Sequence, residues 1–276
     1  MHLVVQSPRL SDADVADLLR LGASRHCVRI AAGVLRIQDV TPSAAIADHC
    51  TTRQFDFAYV PAERRLERVG LVVMDMDSTL ITIECIDEIA DMQGIKPRVA
   101  AITASAMRGE IDFTESLRLR VGLLAGLEAS ALERVYAERL RLSPGAEAML
   151  AAFKAVGAKA MLVSGGFSFF TDRLKARLGL DYTASSVLEI IDGKLTGRVE
   201  GNVVDAMGKA DAVRRIRTAP GMPDKLTVGI GDGANDLPML AAVDVSVAYH
   251  AKPVVRERAN CRIDYCGLDA VVNLFM

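Results

Sequence analysis

Asp75 and Asp77 stand two residues apart in VVMDMDSTL, directly behind an apolar run. Two carboxylates at that spacing, on a loop leaving a strand, can divide labour. One attacks or binds a cation, while the other is turned toward a leaving group as general acid. The same residues would serve as a solvated turn, with Asp and Ser capping backbone groups. A second acidic group, GDGANDLPML, also follows an apolar run. Gly231 and Gly233 allow a tight turn there, and Asp232 and Asp236 supply oxygen ligands suited to a hard cation such as Mg²⁺. The plain reading of this segment is a helix start capped by Asn235 or Asp236. The repeated Asp ligands and later Glu of an EF-hand are missing, which disfavours calcium. Ser164, ahead of Gly165 and Gly166, offers a hydroxyl beside free backbone N–H groups at an expected helix start. That is a phosphate cradle or a Gly-rich turn with a Ser cap. Lys209, in GKADAVRRI, reads as a phosphate clamp or as one more surface lysine.

The elements that must position these residues follow from hydrophobic patterning. Short apolar runs at 71–74, 158–163, 226–230 and 243–248 alternate with amphipathic helices, which predicts a parallel sheet covered on both faces. Three of them run straight into DMDST, SGG and GDGAND. Ligands of such sheets sit beyond the carboxyl ends of the strands, so these clusters should meet. Residues 85–142 are too long for a simple crossover of a dozen or so residues and read as an inserted helical subdomain. Alternation in VLEIIDGKLTGRV around Asp192 and Gly193 predicts a hairpin. The polar stretch PAERRLERVG marks a break. Ahead of it lie a strand at 3–5, a helix opened by Ser11 with Asp14 as its capping box and stopped at Gly22, and further strands within 28–37 and 55–60. The expected division is a small α+β module at 1–68, a core made of 69–84 and 143–276, and a helical cap at 85–142.

Composition sets outer limits on function. The chain has 276 residues, with 33 Lys+Arg against 35 Asp+Glu and a formal charge of −2, which excludes a basic protein built to coat nucleic acid. Trp is absent and aromatics make up 5%, so the core must be aliphatic and an aromatic cage is excluded. The five cysteines are scattered without a CxxC pair, pointing to a reducing compartment. No basic stretch precedes an apolar segment at the N-terminus, and no apolar run reaches the roughly 18 residues that span a bilayer. A soluble, cytoplasmic protein with no membrane partner is expected.

The ordered set of Asp pair, Ser-Gly, Lys and Asp-rich loop resembles the haloacid dehalogenase superfamily. Within it, MDMDSTLITIECIDEIA, SGGFSFF and GDGANDLPML are similar to the phosphoserine phosphatases. The resemblance runs from about Leu71 to the C-terminus and leaves the N-terminal module outside. It implies a Rossmann-like α/β core with an inserted helical cap, and Mg²⁺-dependent hydrolysis of O-phospho-L-serine, the last step of serine biosynthesis. Asp75 would attack phosphorus to give an aspartyl-phosphate. Asp77 would protonate the departing seryl oxygen and then activate water. The resemblance also implies that Asp75, Asp232 and the Asp77 backbone carbonyl hold Mg²⁺, with Asp236 in support. Ser164, Gly165, Lys209 and Asn235 would bind the substrate's phosphoryl end.

In the resembled family, Glu84 matches the position that meets the substrate ammonium, and Arg120 the one that meets its carboxylate. The residues add independent support for Arg120. At about 100° per residue, Phe113, Leu117, Val121 and Leu124 form one stripe in which Arg120 falls, while Arg118 points aside. An arginine in an apolar stripe either snorkels or reaches for an anion. Met107 and Phe113 match apolar positions that line the closed pocket of the family, or pack the insert. The alternatives are a phosphotransferase or phosphatase of this superfamily acting on another small phosphomonoester, and, in a different class, an amino-acid-sensing regulatory protein. The N-terminal module is faintly similar to small amino-acid-sensing domains but looks truncated. It is expected to regulate or to form a homodimer.

Overall fold

In the computed structural model, which describes residues 1–222 and 224–275, the apolar runs form two sheets. Strands β1 (His2–Gln6), β2 (Cys27–Ala31), β3 (Val34–Ile37) and β4 (Asp56–Val60) make an antiparallel sheet ordered β2-β3-β1-β4. Helices α1 (Asp12–Leu21) and α2 (Ala44–Arg53) complete this module. Seven further strands form the main sheet: β5 (Val69–Met74), β6 (Lys159–Phe167), β7 (Tyr182–Ile191), β8 (Lys194–Glu200), β9 (Leu226–Gly231), β10 (Val245–Tyr249) and β11 (Cys261–Ile263). Their order is β11-β10-β9-β5-β6-β7-β8, parallel except for the β7–β8 pair. Every residue of β5 is buried, as expected of a strand covered on both faces. From β5 the chain builds one flank with β6 to β8, then crosses to β9 on the other. The switch point of the fold therefore lies where Asp75 leaves β5.

The insert between β5 and β6 carries α3 (Cys85–Met92), α4 (Lys96–Met107), α5 (Phe113–Gly122) and α6 (Ser130–Arg134), before α7 (Ala146–Ala155) returns to the sheet. The remaining helices are α8 (Ser168–Leu178), α9 (Ala206–Arg217), α10 (Leu237–Ala241) and α11 (Pro253–Arg256). Among the described residues no helix is long and apolar enough to cross a membrane. The hairpin forms where Asp192 and Gly193 predict it. Their φ values of 50° and 75° are those of a type I′ turn. The hairpin also ties down the insert: Gly126 N–H donates to Leu195 O, Leu195 N–H to Leu127 O and Ala129 N–H to Gly193 O, each at 2.8 Å.

One sequence expectation is corrected. Ser164 to Gly166 do not open a helix, because β6 runs on through them to Phe167 and α8 starts at Ser168. The β6–β7 register shifts between Val163 and Phe167, so the Ser-Gly-Gly segment leaves the regular ladder. The N-terminal module follows the element order β-α-β-β-α-β. The overlooked element is α2, which buries only Ile46 and Cys50 and shows little amphipathic pattern, yet is capped by Ser43. The Ser11 capping box and the Gly22 stop of α1 are present.

Period-two alternation lets the N-terminal sheet bury both faces. Leu3 and Val5 pack with Leu18 and Ile46 of its own helices, while Val4, Val34, Ala58 and Val60 join the core of the main sheet. Burying an aliphatic side chain of this size contributes roughly 1.5–3 kcal/mol. The module is thus docked through its sheet rather than tethered.

Candidate active site

Asp75 follows β5, and its N–H donates to Ile230 O of the neighbouring β9 at 3.0 Å. The chain then makes a wide turn in which Ser78 takes a left-handed φ of 55°. This turn brings Asp77 back over the strand ends, where Cys85 N–H, at the start of α3, donates to Asp77 Oδ1 at 3.1 Å. Asp75 is only 5% exposed. Its Oδ1 accepts the Met76 N–H at 2.7 Å and lies 2.7 Å from Lys209 Nζ.

Lys209, one turn into α9, is fully buried between Asp75 and Asp236, and its second bond reaches Asp236 Oδ1 at 2.8 Å. The other oxygen of Asp236 accepts the Asp232 and Gly233 N–H groups at 3.1 and 3.0 Å. Asp236 therefore does cap backbone groups, as the plain reading proposed, and at the same time anchors the ammonium. Thr79, fully buried, donates from Oγ1 to Asp232 Oδ1 at 3.1 Å. Oxygens of Asp75, Asp232 and Asp236 lie within 4.8 Å of one another. The donors are all hard oxygens, and one ammonium cannot balance three carboxylates. The set fits a hard divalent cation.

Proton affinities bear out this crowding. Burial and then Asp236 push the Asp75 carboxyl well above the ordinary carboxylate range, with Lys209 pulling against them. Asp232 is raised to about 6 by burial, Asp236 and Glu84. Asp77 is raised to about 7 by burial and the nearby Glu84. Burial acts to lower Lys209, but Asp236 and Asp75 outweigh it and hold the ammonium charged.

These groups open onto a cavity of about 120 Å³ at the switch point. The core contributes Asp75, Asp77, Lys209, Asp232 and Asn235, together with Ser164 and Gly165. Facing them from the insert are Phe113, Leu117 and Arg120, with Glu84 at the junction. Arg120 Nε donates to Ser116 O at 3.3 Å, and Ser78 Oγ donates to Glu84 Oε1 at 2.7 Å. The insert closes down tightly, for a methyl group added at Gly165 would stand 2.7 Å from the Phe113 ring. One candidate is not brought in: Met107, at the end of α4, is 75% exposed and does not line this cavity.

Sequence reasoning missed two contributors, Thr79 and Lys252, and named Gly166 only for its backbone N–H beside Ser164. Thr79 sits inside DMDST, and its partner Asp232 lies far away in sequence. A Cβ at Gly166 would lie 3.0 Å from both Asp77 Oδ2 and Ser164 Oγ, so glycine there keeps the acid and the hydroxyl in one open space. Lys252 lines the cavity from beyond β10, and its N–H donates to Asp232 O at 2.9 Å. No motif flagged Lys252.

Comparison with known proteins agrees with this geometry. The haloacid dehalogenase-like hydrolase family model matches residues 72–241. A phosphoserine phosphatase of Polaromonas sp. is 51% identical over 215 residues, 76% of this chain and 91% of the relative. A crystal structure of a probable phosphoserine phosphatase from Vibrio cholerae superposes with a TM-score of 0.86 at 38% identity, covering 99% of this chain and 85% of the other. A structure described as a phospho-aspartyl intermediate analogue of phosphoserine phosphatase gives 0.69 at 37% identity over 75% of this chain and 99% of the other. With a carboxylate pair at the switch point, an acidic cluster behind it and these relatives over most of its length, the chain belongs to the phosphoserine phosphatase family of haloacid dehalogenase-like hydrolases.

Proposed function

We propose that this chain hydrolyses O-phospho-L-serine to L-serine and phosphate through an aspartyl-phosphate on Asp75, with Mg²⁺ as its cation. The observation that carries this reading is that Asp75 and Asp77 share one small cavity with Glu84 and Arg120. A phosphorus nucleophile and an acid thus face a carboxylate and a guanidinium that complement an amino acid's ammonium and carboxylate. The relative described as a phospho-aspartyl intermediate analogue supports the covalent route.

Both donors on Asp75 converge on Oδ1, and Oδ2 has no hydrogen-bond donor among the described residues. Oδ2 is the oxygen this reading assigns to the attack on phosphorus. As its bond to phosphorus forms, the bond from phosphorus to the seryl oxygen breaks, and the Asp77 proton passes to that oxygen. Asp77 Oδ1 is occupied by the Cys85 N–H, so the proton is carried on Oδ2, beside Gly166. In the second step the Asp77 carboxylate takes a proton from water. The water oxygen attacks phosphorus, and the Asp75 carboxylate leaves. A proton affinity near 7 suits a group that must give and then accept a proton close to neutrality.

Ser164 Oγ accepts the Gly166 N–H at 2.9 Å, which frees its own hydrogen for a phosphoryl oxygen. Lys209 serves the same anion and holds Asp75 in place. Asp75, Asp232 and the Asp77 backbone carbonyl would hold Mg²⁺, with Asp236 fixing the loop. The bound cation offsets the repulsion between a carboxylate nucleophile and a phosphate anion. Residues 85–142 act as the cap that brings Arg120 over the site.

A cytoplasmic location and a homodimer through the N-terminal module belong to the same reading, β2 being that module's exposed edge strand. Phosphate release across a panel of small phosphomonoesters, with and without Mg²⁺, tests the function. Phosphoserine should be the best substrate and only with the cation. Equal turnover of phosphomonoesters lacking the amino-acid groups would overturn the substrate assignment.

A further inference from the structure

The N-terminal module lies outside the catalytic motifs, yet one of its carboxylates is built into the main domain. Asp56 on β4 is 2% exposed and accepts three consecutive backbone N–H groups from beyond β11: Asp264 at 2.6 Å, Tyr265 at 3.1 Å and Cys266 at 2.7 Å. A run of backbone N–H groups curled around an anion fixes the loop that supplies them. The same loop then holds His250, whose Nε2 lies 2.9 Å from Cys266 O. Because a carbonyl only accepts, Nε2 carries the hydrogen. The backbone N–H of His250 donates to Ile263 O at 2.8 Å.

His250 needs this support. Its φ of 45° is left-handed, a conformation that a non-glycine residue keeps only when its surroundings over-determine it. Two residues on, the Lys252 N–H donates to Asp232 O at 2.9 Å, and Lys252 lines the catalytic cavity. A path of hydrogen bonds and covalent chain thus runs from Asp56, through 264–266 and 250–252, to the loop that presents Asp232.

We infer that the N-terminal module is the outer support of the cation-side wall of the active site, with Asp56 and His250 as positioning residues for the Asp232 loop. The inference rests on the reading that Asp232 is a cation ligand. Its chemistry is that of groups behind a metal site, which hold a ligand's orientation and so set affinity without touching the ion.

The test uses the full chain and reads cation binding directly, as the Mg²⁺ dissociation constant by calorimetry without substrate. Asp56→Asn removes the charge that gathers the three N–H groups. His250→Gly keeps the left-handed backbone and deletes the ring bond. Asp14→Asn is the control, since it breaks the Arg53 pair between α1 and α2 of the same module and lies off the path. The first two variants act through 250–252 rather than on Asp232 itself, so they should raise the dissociation constant by roughly threefold to tenfold, less than the roughly 10–100-fold typical of a group bonded directly to a ligand, whereas Asp14→Asn should lower Tm and leave binding unchanged. Binding within twofold of the parent in His250→Gly would overturn the proposal, even if Asp56→Asn failed to fold. An equal loss in Asp14→Asn would also overturn it, by showing a general effect of module stability. Asp232→Asn binding Mg²⁺ like the parent would remove its premise. Failure of the parent to hydrolyse phosphoserine while these binding shifts hold would instead count against the substrate reading alone.

Discussion

Lys209 Nζ lies 2.7 Å from Asp75 Oδ1, on the oxygen that also takes a backbone N–H, and leaves Oδ2 as the uncommitted one. The ammonium thus orients the carboxylate proposed as nucleophile while being fully buried with it. Removing one partner of a buried ion pair typically costs about 3–5 kcal/mol, because the remaining charge is left uncompensated. Lys209→Met should lose activity and fall in stability by that order in urea unfolding at pH 8. The loss should be smaller at pH 5, where the orphaned carboxylates take up protons. Unchanged unfolding at pH 8 would mean that the pair is not a structural support.

In the proposed mechanism Asp77 serves both chemical steps, and a choice of leaving group separates them. Asp77→Asn cannot protonate a seryl oxygen or activate water, so turnover of phosphoserine should fall roughly 10²–10⁴-fold. A nitrophenyl phosphate has a leaving group that departs without a proton. Stopped-flow absorbance should therefore show a rapid burst of nitrophenolate near one per site, then slow turnover. A uniform loss with no burst would remove Asp77 from the second step.

Arg120 should decide whether the substrate is an amino acid. Losing a charge-assisted bond to a carboxylate costs about 1.5–3 kcal/mol, so Arg120→Ala should raise KM for phosphoserine roughly 10- to 100-fold. For phosphoethanolamine, which has no carboxylate, steady-state kinetics should change little. Equal effects on both substrates would make Arg120 a packing residue of the insert.

The acidic pocket also predicts how the cation-free protein responds to pH. Asp77 and Asp232 are raised to about 7 and about 6 from an ordinary 3.8. Between those values the folded state binds more protons than the unfolded chain, so stability falls as pH rises through that window. Calorimetric Tm without cation should be lower at pH 8 than at pH 5, and Mg²⁺ should raise it more at pH 8. The opposite slope would mean that other groups dominate.

Most of the site was legible because its chemistry is local in sequence. Asp75 and Asp77 are carried on one turn, Asp232 and Asp236 on another, and each follows an apolar strand that parallel-sheet topology must bring to a common edge. Arg120 was legible from helical phase. Phase does not say where a helix end lies relative to a cleft, and Met107, on the neighbouring α4, faces solvent. The helix expected at Ser164 was a strand because the register shift beside it depends on β7, some 20 residues on. Lys252 and Asp56 were invisible for a similar reason. Their partners, Asp232 and residues 264–266, are supplied only by the folded chain.

The central claim is that the phosphoryl group passes through Asp75. Phosphoserine labelled with ³²P should be mixed with enzyme and Mg²⁺, quenched in acid within milliseconds and mapped by peptide mass. The label should sit on the peptide containing Asp75, be discharged by hydroxylamine as an acyl phosphate is, and vanish in Asp75→Asn, whose turnover should drop roughly 10⁴-fold or more while its Tm shows an intact fold. Normal phosphoserine hydrolysis by Asp75→Asn, or label found on another residue, would contradict the account.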